Sequence, residues 1–279
     1  MLFTGTLISE KCSKIIDILG SIDKFYILNI DRYCWEFKNY NDQYFIKYNI
    51  EKEDFINYNL ISKTNCTIKI NIDNLGKHLK INPKINIQID DNYNINIIKN
   101  TQKDKMNSIT KSIIHGEKFV NDTDFYSYDY DVEMITNHIK FRDLVNILID
   151  SNKSNNIINI KTDENKVVNF KSILNVSVMS INPKKSFDDE IDDITNKIKI
   201  LSMISKKNQT KIKNNVYIKL EKENLDMSYN LDILKYFEPI YNLVKYVNIG
   251  LSNNTEIKMD MILDEEMGNM INILVNNES

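Results

Sequence analysis

Few side chains in this chain stand at spacings that could do chemistry. His78, His115 and His138 fall in separate elements, with no cysteine or carboxylate at a metal-ligand interval, so each reads as a surface or capping residue. Cys12, Cys34 and Cys66 are odd in number and match no zinc spacing. They fit free thiols of a reducing intracellular compartment. No glycine-rich loop is available to cradle a phosphate. The carboxylates Asp188-Asp189-Glu190 and Asp192-Asp193 lie with Lys184-Lys185 in a polar stretch, Asn182 to Thr195, that reads as a solvated inserted loop. No catalytic constellation emerges, so neither an enzyme nor a cofactor is expected. The residues that invite a function are lysines. Asp73, Gly76, Lys77 and Lys80 recur at i, i+3, i+4, i+7 opposite Leu75 and Leu79. These residues share one polar face of a predicted helix. The plainer reading of the same lysines is an ordinary solvated surface.

The elements that would position them follow from periodicity. Alternation of period two dominates: Thr67-Ile68-Lys69-Ile70-Asn71-Ile72, Ile85-Asn86-Ile87-Gln88-Ile89, Tyr93-Asn94-Ile95-Asn96-Ile97, Val216-Tyr217-Ile218-Lys219-Leu220 and Glu256-Ile257-Lys258-Met259-Asp260-Met261 are examples. These predict half-buried strands of antiparallel sheets. Trp35 reads as a buried strand anchor. Four segments have helical spacing instead: about Glu10 to Leu19, Asp73 to Lys80, Phe141 to Ile149, and Asn230 to Phe237. In the first, Cys12, Ile15, Ile16 and Leu19 share one face, with Ser13, Lys14 and Asp17 opposite.

The order of elements occurs twice, which predicts two α+β domains, 1–100 and 128–279, joined by a polar connector at 101–127. The chain has 279 residues, 42% of them hydrophobic, enough for a real core. Gly 6 and Pro 3 exclude glycine- or proline-rich architectures. The bias toward Asn, Ile and Lys fits an AT-rich genome. A formal net charge of -3 requires any nucleic-acid contact to be confined to a basic patch. Met1 to Ser9 alternates without a charged segment and apolar run, so no secretory leader is expected. No apolar stretch approaches the length of a membrane span.

The layout resembles the proliferating cell nuclear antigen (PCNA) family of DNA sliding clamps. The opening Met1-Leu2-Phe3-Thr4-Gly5-Thr6-Leu7-Ile8 and the amphipathic Lys11 to Leu19 look like that family's first strand and helix. Tyr44 to Ile50, Glu53-Asp54-Phe55-Ile56-Asn57-Tyr58, and Ile70 to Lys80 resemble its next strand, Phe-bearing turn and second helix with paired lysines. Asn230 to Phe237 is similar to its fourth helix, and Asp264 to Val275, with Met267-Gly268, to its closing strand. The blocks are collinear over nearly the whole chain.

The resemblance implies a DNA-clamp fold: two similar domains of antiparallel sheet with paired helices lining a ring of three head-to-tail subunits. It implies a homotrimeric processivity factor that encircles double-stranded DNA without sequence preference. It would tether a DNA polymerase and other replication or repair proteins and be placed by a clamp loader. Localisation would be intracellular, nuclear or at a cytoplasmic replication site if the source is viral. The DNA-facing candidates are Lys14, Lys77, Lys80 and Lys235. The third helix departs from the family's basic pattern with Asp143, Asn146 and Asp150, and the fourth with Asp232. Weak, salt-sensitive DNA affinity is therefore expected, with enclosure rather than attraction retaining the ring. A partner-peptide groove would use Phe45, Ile257, Ile273 and Val275, with Phe125 or Tyr126 from the connector. Core or sheet packing is the other reading of these positions. Two alternatives remain: a clamp-fold viral late transcription factor, and one subunit of a heterotrimeric checkpoint clamp.

Overall fold

The computed structural model describes residues 1–81, 84–103, 106–120, 130–137, 141–146, 157–162, 168–172, 178–181, 217–220, 225–253, 255–263 and 270–276. The fold is α+β and mostly antiparallel sheet. The chain divides into two units, the first Met1–Asn41 with Phe45–Tyr126, the second Asp42–Tyr44 with Ser127–Ser279.

The first unit runs β1 (Phe3–Ile8), α1 (Ser9–Ile22), β2 (Phe25–Ile30), β3 (Cys34–Tyr40), β4 (Tyr44–Glu51), β5 (Phe55–Leu60), β6 (Cys66–Asn71), α2 (Ile72–Ile81), β7 (Lys84–Ile89), β8 (Ile95–Lys103), β9 (Met106–Ile114) and β10 (Gly116–Lys118). Its strands follow the orders β5-β1-β7-β8-β9 and β10-β6-β2-β3-β4. The second unit runs β11 (Val132–Asn137), a helical segment at 141–146 (α3), β12 (Ile157–Thr162), β13 (Val168–Ser172), β14 (Val178–Ile181), β15 (Tyr217–Leu220) and β16 (Asp226–Asn230). A 3-10 helix (Asp232–Ile240), β17 (Tyr246–Leu251), β18 (Ile257–Ile262) and β19 (Met270–Val275) complete it. Its strands follow β15-β11-β17-β18-β19 and β14-β13-β12-β16.

Among the described residues one half-unit, a strand, a helical element and three strands, occurs four times, and β5, β10 and β15 follow three of the copies and pair with the leading strands β1, β6 and β11. In each half the leading strand leaves its own three strands and pairs with those of the other half: β1 with β7, β6 with β2, β11 with β17, and β16 with β12, all antiparallel. The exchange ties the two sheets of a unit together. An alternating strand buries its apolar face on one side only, so two such sheets and their helices cover each other's inner faces. In the first unit the core is aromatic at the β1 end. Trp35 is fully buried, 5.2 Å from the Phe3 ring edge-on and 5.3 Å from Phe55, with Tyr58 closing the cluster 4.9 Å from Phe3. Edge-to-face contacts of this kind add about 1 kcal/mol each beyond area burial. Trp35 is thus the strand anchor its sequence setting predicts.

Three sequence expectations change. The stretch 101–127 is not wholly a connector, because β9 and β10 occupy most of its described part and β9 pairs with β8 from Ile95↔Ile114 to Lys103↔Met106. Its polarity reflects an outer strand, covered on one side only. The first unit accordingly extends past residue 100 to Tyr126. The fourth helical segment is a 3-10 helix shifted to Asp232–Ile240, with Pro239 inside it. Ile233, Leu234, Phe237 and Ile240 are its buried side, so the apolar spacing persists although the turn is tighter.

Candidate functional site

α1 and α2 carry three of the four candidate lysines. Each helix starts where an alternating strand gives way to a three- to four-residue apolar rhythm. Cys12, Ile15, Ile16 and Leu19 of α1 are buried, as are Leu75 and Leu79 of α2. α2 is capped from the strand before it: Asn71 Oδ1 accepts the Asp73 backbone N–H at 3.1 Å. Ahead of the 3-10 helix Asn230 Oδ1 likewise accepts the Asp232 N–H at 3.1 Å, from one residue before the cap position at Leu231. An Asn-apolar-Asp step at the end of a strand therefore launches a helical element in both units.

The two helices meet at glycines. A methyl group built on Gly20 of α1 would run into Asp73 Oδ1 of α2, and one built on Gly76 of α2 would lie 3.1 Å from Asp17 Oδ1 of α1. The contact is reciprocal, and at the crossing the helices run in opposite directions. On the side away from the core, Lys14 and Lys77 are exposed. Lys80 reaches across to α1, its Nζ 3.0 Å from Asp17 Oδ2. Lys235 is held within its own helix, 2.6 Å from Asp232 Oδ1, and its side chain is only 19% exposed. Two of the four candidate cations are thus engaged by carboxylates. In α3, Asp143 pairs with Arg142 at 3.7 Å and Asn146 is exposed; Asp150 lies outside the described residues.

The second candidate set divides. Phe45 is half-buried on β4 and stacks on Tyr40 of β3, ring centroids 6.2 Å apart and planes 11° from parallel. The β2–β3 register, continued past Ile27↔Lys38, brings Phe25 to the same end, where Asn39 Nδ2 donates to Phe25 O at 2.9 Å. Phe25 and Tyr40 are 51% and 42% exposed, so an aromatic row faces outward here, with Lys69 Nζ 5.3 Å from the Phe25 ring centre. Beside the row, Glu36 bridges two lysines that stand directly opposite each other, 2.9 Å to Lys38 Nζ and 3.4 Å to Lys47 Nζ. In the second unit Ile257, Ile273 and Val275 are buried on β18 and β19, with Ile257 paired to Val275. They are sheet-packing positions there. Phe125 and Tyr126 lie outside the described residues.

Asp17, Gly20 and the contact of Asp73 with α1, like Phe25 and Tyr40, are not site features that the sequence points out. A signal for the first three was present: Asp17-Ile18-Leu19-Gly20 and Asp73-Asn74-Leu75-Gly76 share an Asp-Xaa-Leu-Gly step. The thiols are unreactive in character. Burial pushes Cys12 and Cys34 up to about 12, helped by Asp54 at Cys12 and by Asp31, Glu51 and Glu36 at Cys34. Among the described residues no group of His, Cys, Asp and Glu is arranged to hold a metal ion, and no helix is long and apolar enough to cross a membrane. No protein-family model matches the chain, and no curated protein matches it significantly.

Proposed function

We propose that this chain is a sliding clamp of the PCNA type, a homotrimeric ring that encloses duplex DNA and tethers a polymerase and other replication or repair proteins. The observation that carries the reading is the half-unit used four times with the same exchange of leading strands. Such duplication generates similar surfaces at regular intervals, which suits a ring built from identical head-to-tail contacts. Two further features support it. Lys14, Lys77 and Lys80 lie on adjacent helices of one unit, as a phosphate-facing surface requires. The outer strand β9 exposes Ile109 and Ile113, 74% and 51%, beside a backbone edge that the next subunit can pair and cover. The Phe25–Tyr40–Phe45 row is the surface for aromatic anchors of partner peptides. A clamp loader would place the ring on DNA, in a nucleus or at a viral replication site. The protein acts by topology and carries out no reaction.

The test is the mass of the purified protein in solution with negative-stain imaging. A trimer with a central hole is expected; a strict monomer at micromolar concentration rejects the homotrimer.

The engagement of Lys80 by Asp17 and of Lys235 by Asp232 favours a second reading, a clamp-fold transcription factor that does not depend on enclosing DNA. Recovery of RNA polymerase subunits without replication proteins in affinity purification would select it. A subunit of a heterotrimeric checkpoint clamp would instead assemble only with related chains.

A further inference from the structure

We infer that Asp17 is a built-in competitor for the phosphate contact of Lys80, a positioning residue that keeps this part of the DNA-facing surface weakly attractive. The inference rests on the clamp reading and adds a control element to its DNA-facing surface. Three observations carry it. Asp17 Oδ2 is 3.0 Å from Lys80 Nζ, and the pair joins two different helices. The Lys80 side chain is 60% exposed, so a phosphate can reach the same ammonium from solvent, while the Asp17 side chain is 32% exposed and lies closer to the protein. The other Asp17 oxygen lies against Gly76, where a methyl group would come within 3.1 Å. The carboxylate is therefore packed at the helix crossing.

The consequence is a count of counterions. A lysine held by a carboxylate displaces few of the cations condensed on DNA, because it must first leave Asp17 before it can neutralise a phosphate. Lys14 and Lys77 are also exposed. Removing the Asp17 charge turns Lys80 into a full phosphate contact. Each such contact steepens the dependence of log K on log salt by about 0.9. A ring that must move along DNA gains from contacts that exchange easily between phosphate and an internal anion.

The experiment measures binding of the full chain to a short fluorescent linear duplex across a salt series, for the wild type, Asp17→Asn, Lys80→Gln and the double variant. Asp17→Asn is expected to bind more tightly at low salt, with a slope steeper by about 0.9 for each phosphate Lys80 newly meets. Lys80→Gln should remove that gain in the Asp17→Asn background. Asp17→Glu should restore the wild-type slope, which a merely structural role would not predict. Equal affinity and slope for wild type and Asp17→Asn, with binding intact, overturns the inference and leaves the clamp reading standing. A gain that survives Lys80→Gln also overturns it. Absence of duplex binding by every variant overturns the inference alone, because the clamp reading stands or falls on the solution mass and the ring image.

Discussion

Gly76 of α2 and Asp17 of α1 are in contact at the helix crossing, and Gly20 and Asp73 repeat the contact in the opposite sense. One pair of short sequence steps thus sets how closely the two helices approach and what charge lies between their lysines.

Gly20→Ala tests the packing half of this relationship. Alanine favours a helix interior over glycine by about 1 kcal/mol. The added methyl must displace the Asp73 carboxylate, and overpacking of this kind costs about 1–3 kcal/mol. A net loss of about 1 kcal/mol is expected. In an Asp73→Ala background the same change should instead stabilise by about 1 kcal/mol. Urea unfolding followed through Trp35, which is buried in the same unit, reads both. Equal effects in the two backgrounds would show that the carboxylate does not limit the approach.

The caps are independent of the crossing. Asn71→Ala and Asn230→Ala each remove a side-chain acceptor from the start of a helical element. Each should cost about 1 kcal/mol, and replacement by Asp should cost much less. Shifts in unfolding midpoint check this; an Asp variant as unstable as the Ala variant would count against a capping role.

Assembly is tested at β9. Ile109→Lys with Ile113→Lys places two charges on an outward-facing outer strand. Both side chains are already exposed, so the fold should lose less than about 0.5 kcal/mol. If the chain is the proposed trimeric clamp, the subunit contact should be lost and sedimentation equilibrium should move from trimer to monomer. A trimer that persists would place the subunit contact elsewhere.

The thiols give a pH prediction. Burial raises Cys12 and Cys34 from 9.0 to about 12 and Cys66 from 9.0 to about 11 in the folded chain. A raised folded-state value means that stability from these groups is fully present below about pH 9. It is lost as pH rises through 11 and 12, because the unfolded chain releases those protons first. Alkaline titration of the unfolding midpoint should show this fall, and mutation of Cys12 and Cys34 to Ala should flatten it. At pH 8 roughly one native thiol in ten thousand is ionised at such values, so labelling by a thiol reagent should be slow until the chain unfolds. Rapid native labelling of Cys34 would contradict its raised value.

Much of the fold was legible because burial imposes a period. Alternation in Thr67 to Ile72 and Ile85 to Ile89 marks β6 and β7, and the apolar stripe of Cys12, Ile15, Ile16 and Leu19 marks α1. β9 was hidden in a polar stretch because an outer strand needs apolar residues on one side alone. The shift of the last helical element to a 3-10 helix was hidden because Ile233, Leu234 and Phe237 satisfy either turn. The candidate lysines were legible as a helix face, but their electrostatic state was not. Lys80 and Asp17 are far apart in sequence, and only packing brings them within 3.0 Å. Ile257, Ile273 and Val275 carry the same apolar signature whether they line a groove or a sheet interior. Only their burial distinguishes the two.

By itself the sequence determined the class of elements such as β6, β7, α1 and α2 and the inward face of those two helices, since hydrophobic periodicity is local. The tertiary structure alone decided that leading strands exchange between halves and that Gly20 and Gly76 admit a close helix crossing. It also decided that Asp17 neutralises Lys80. Backbone pairing and Coulomb attraction act between whatever surfaces packing brings together, and local periodicity does not encode that choice of neighbours.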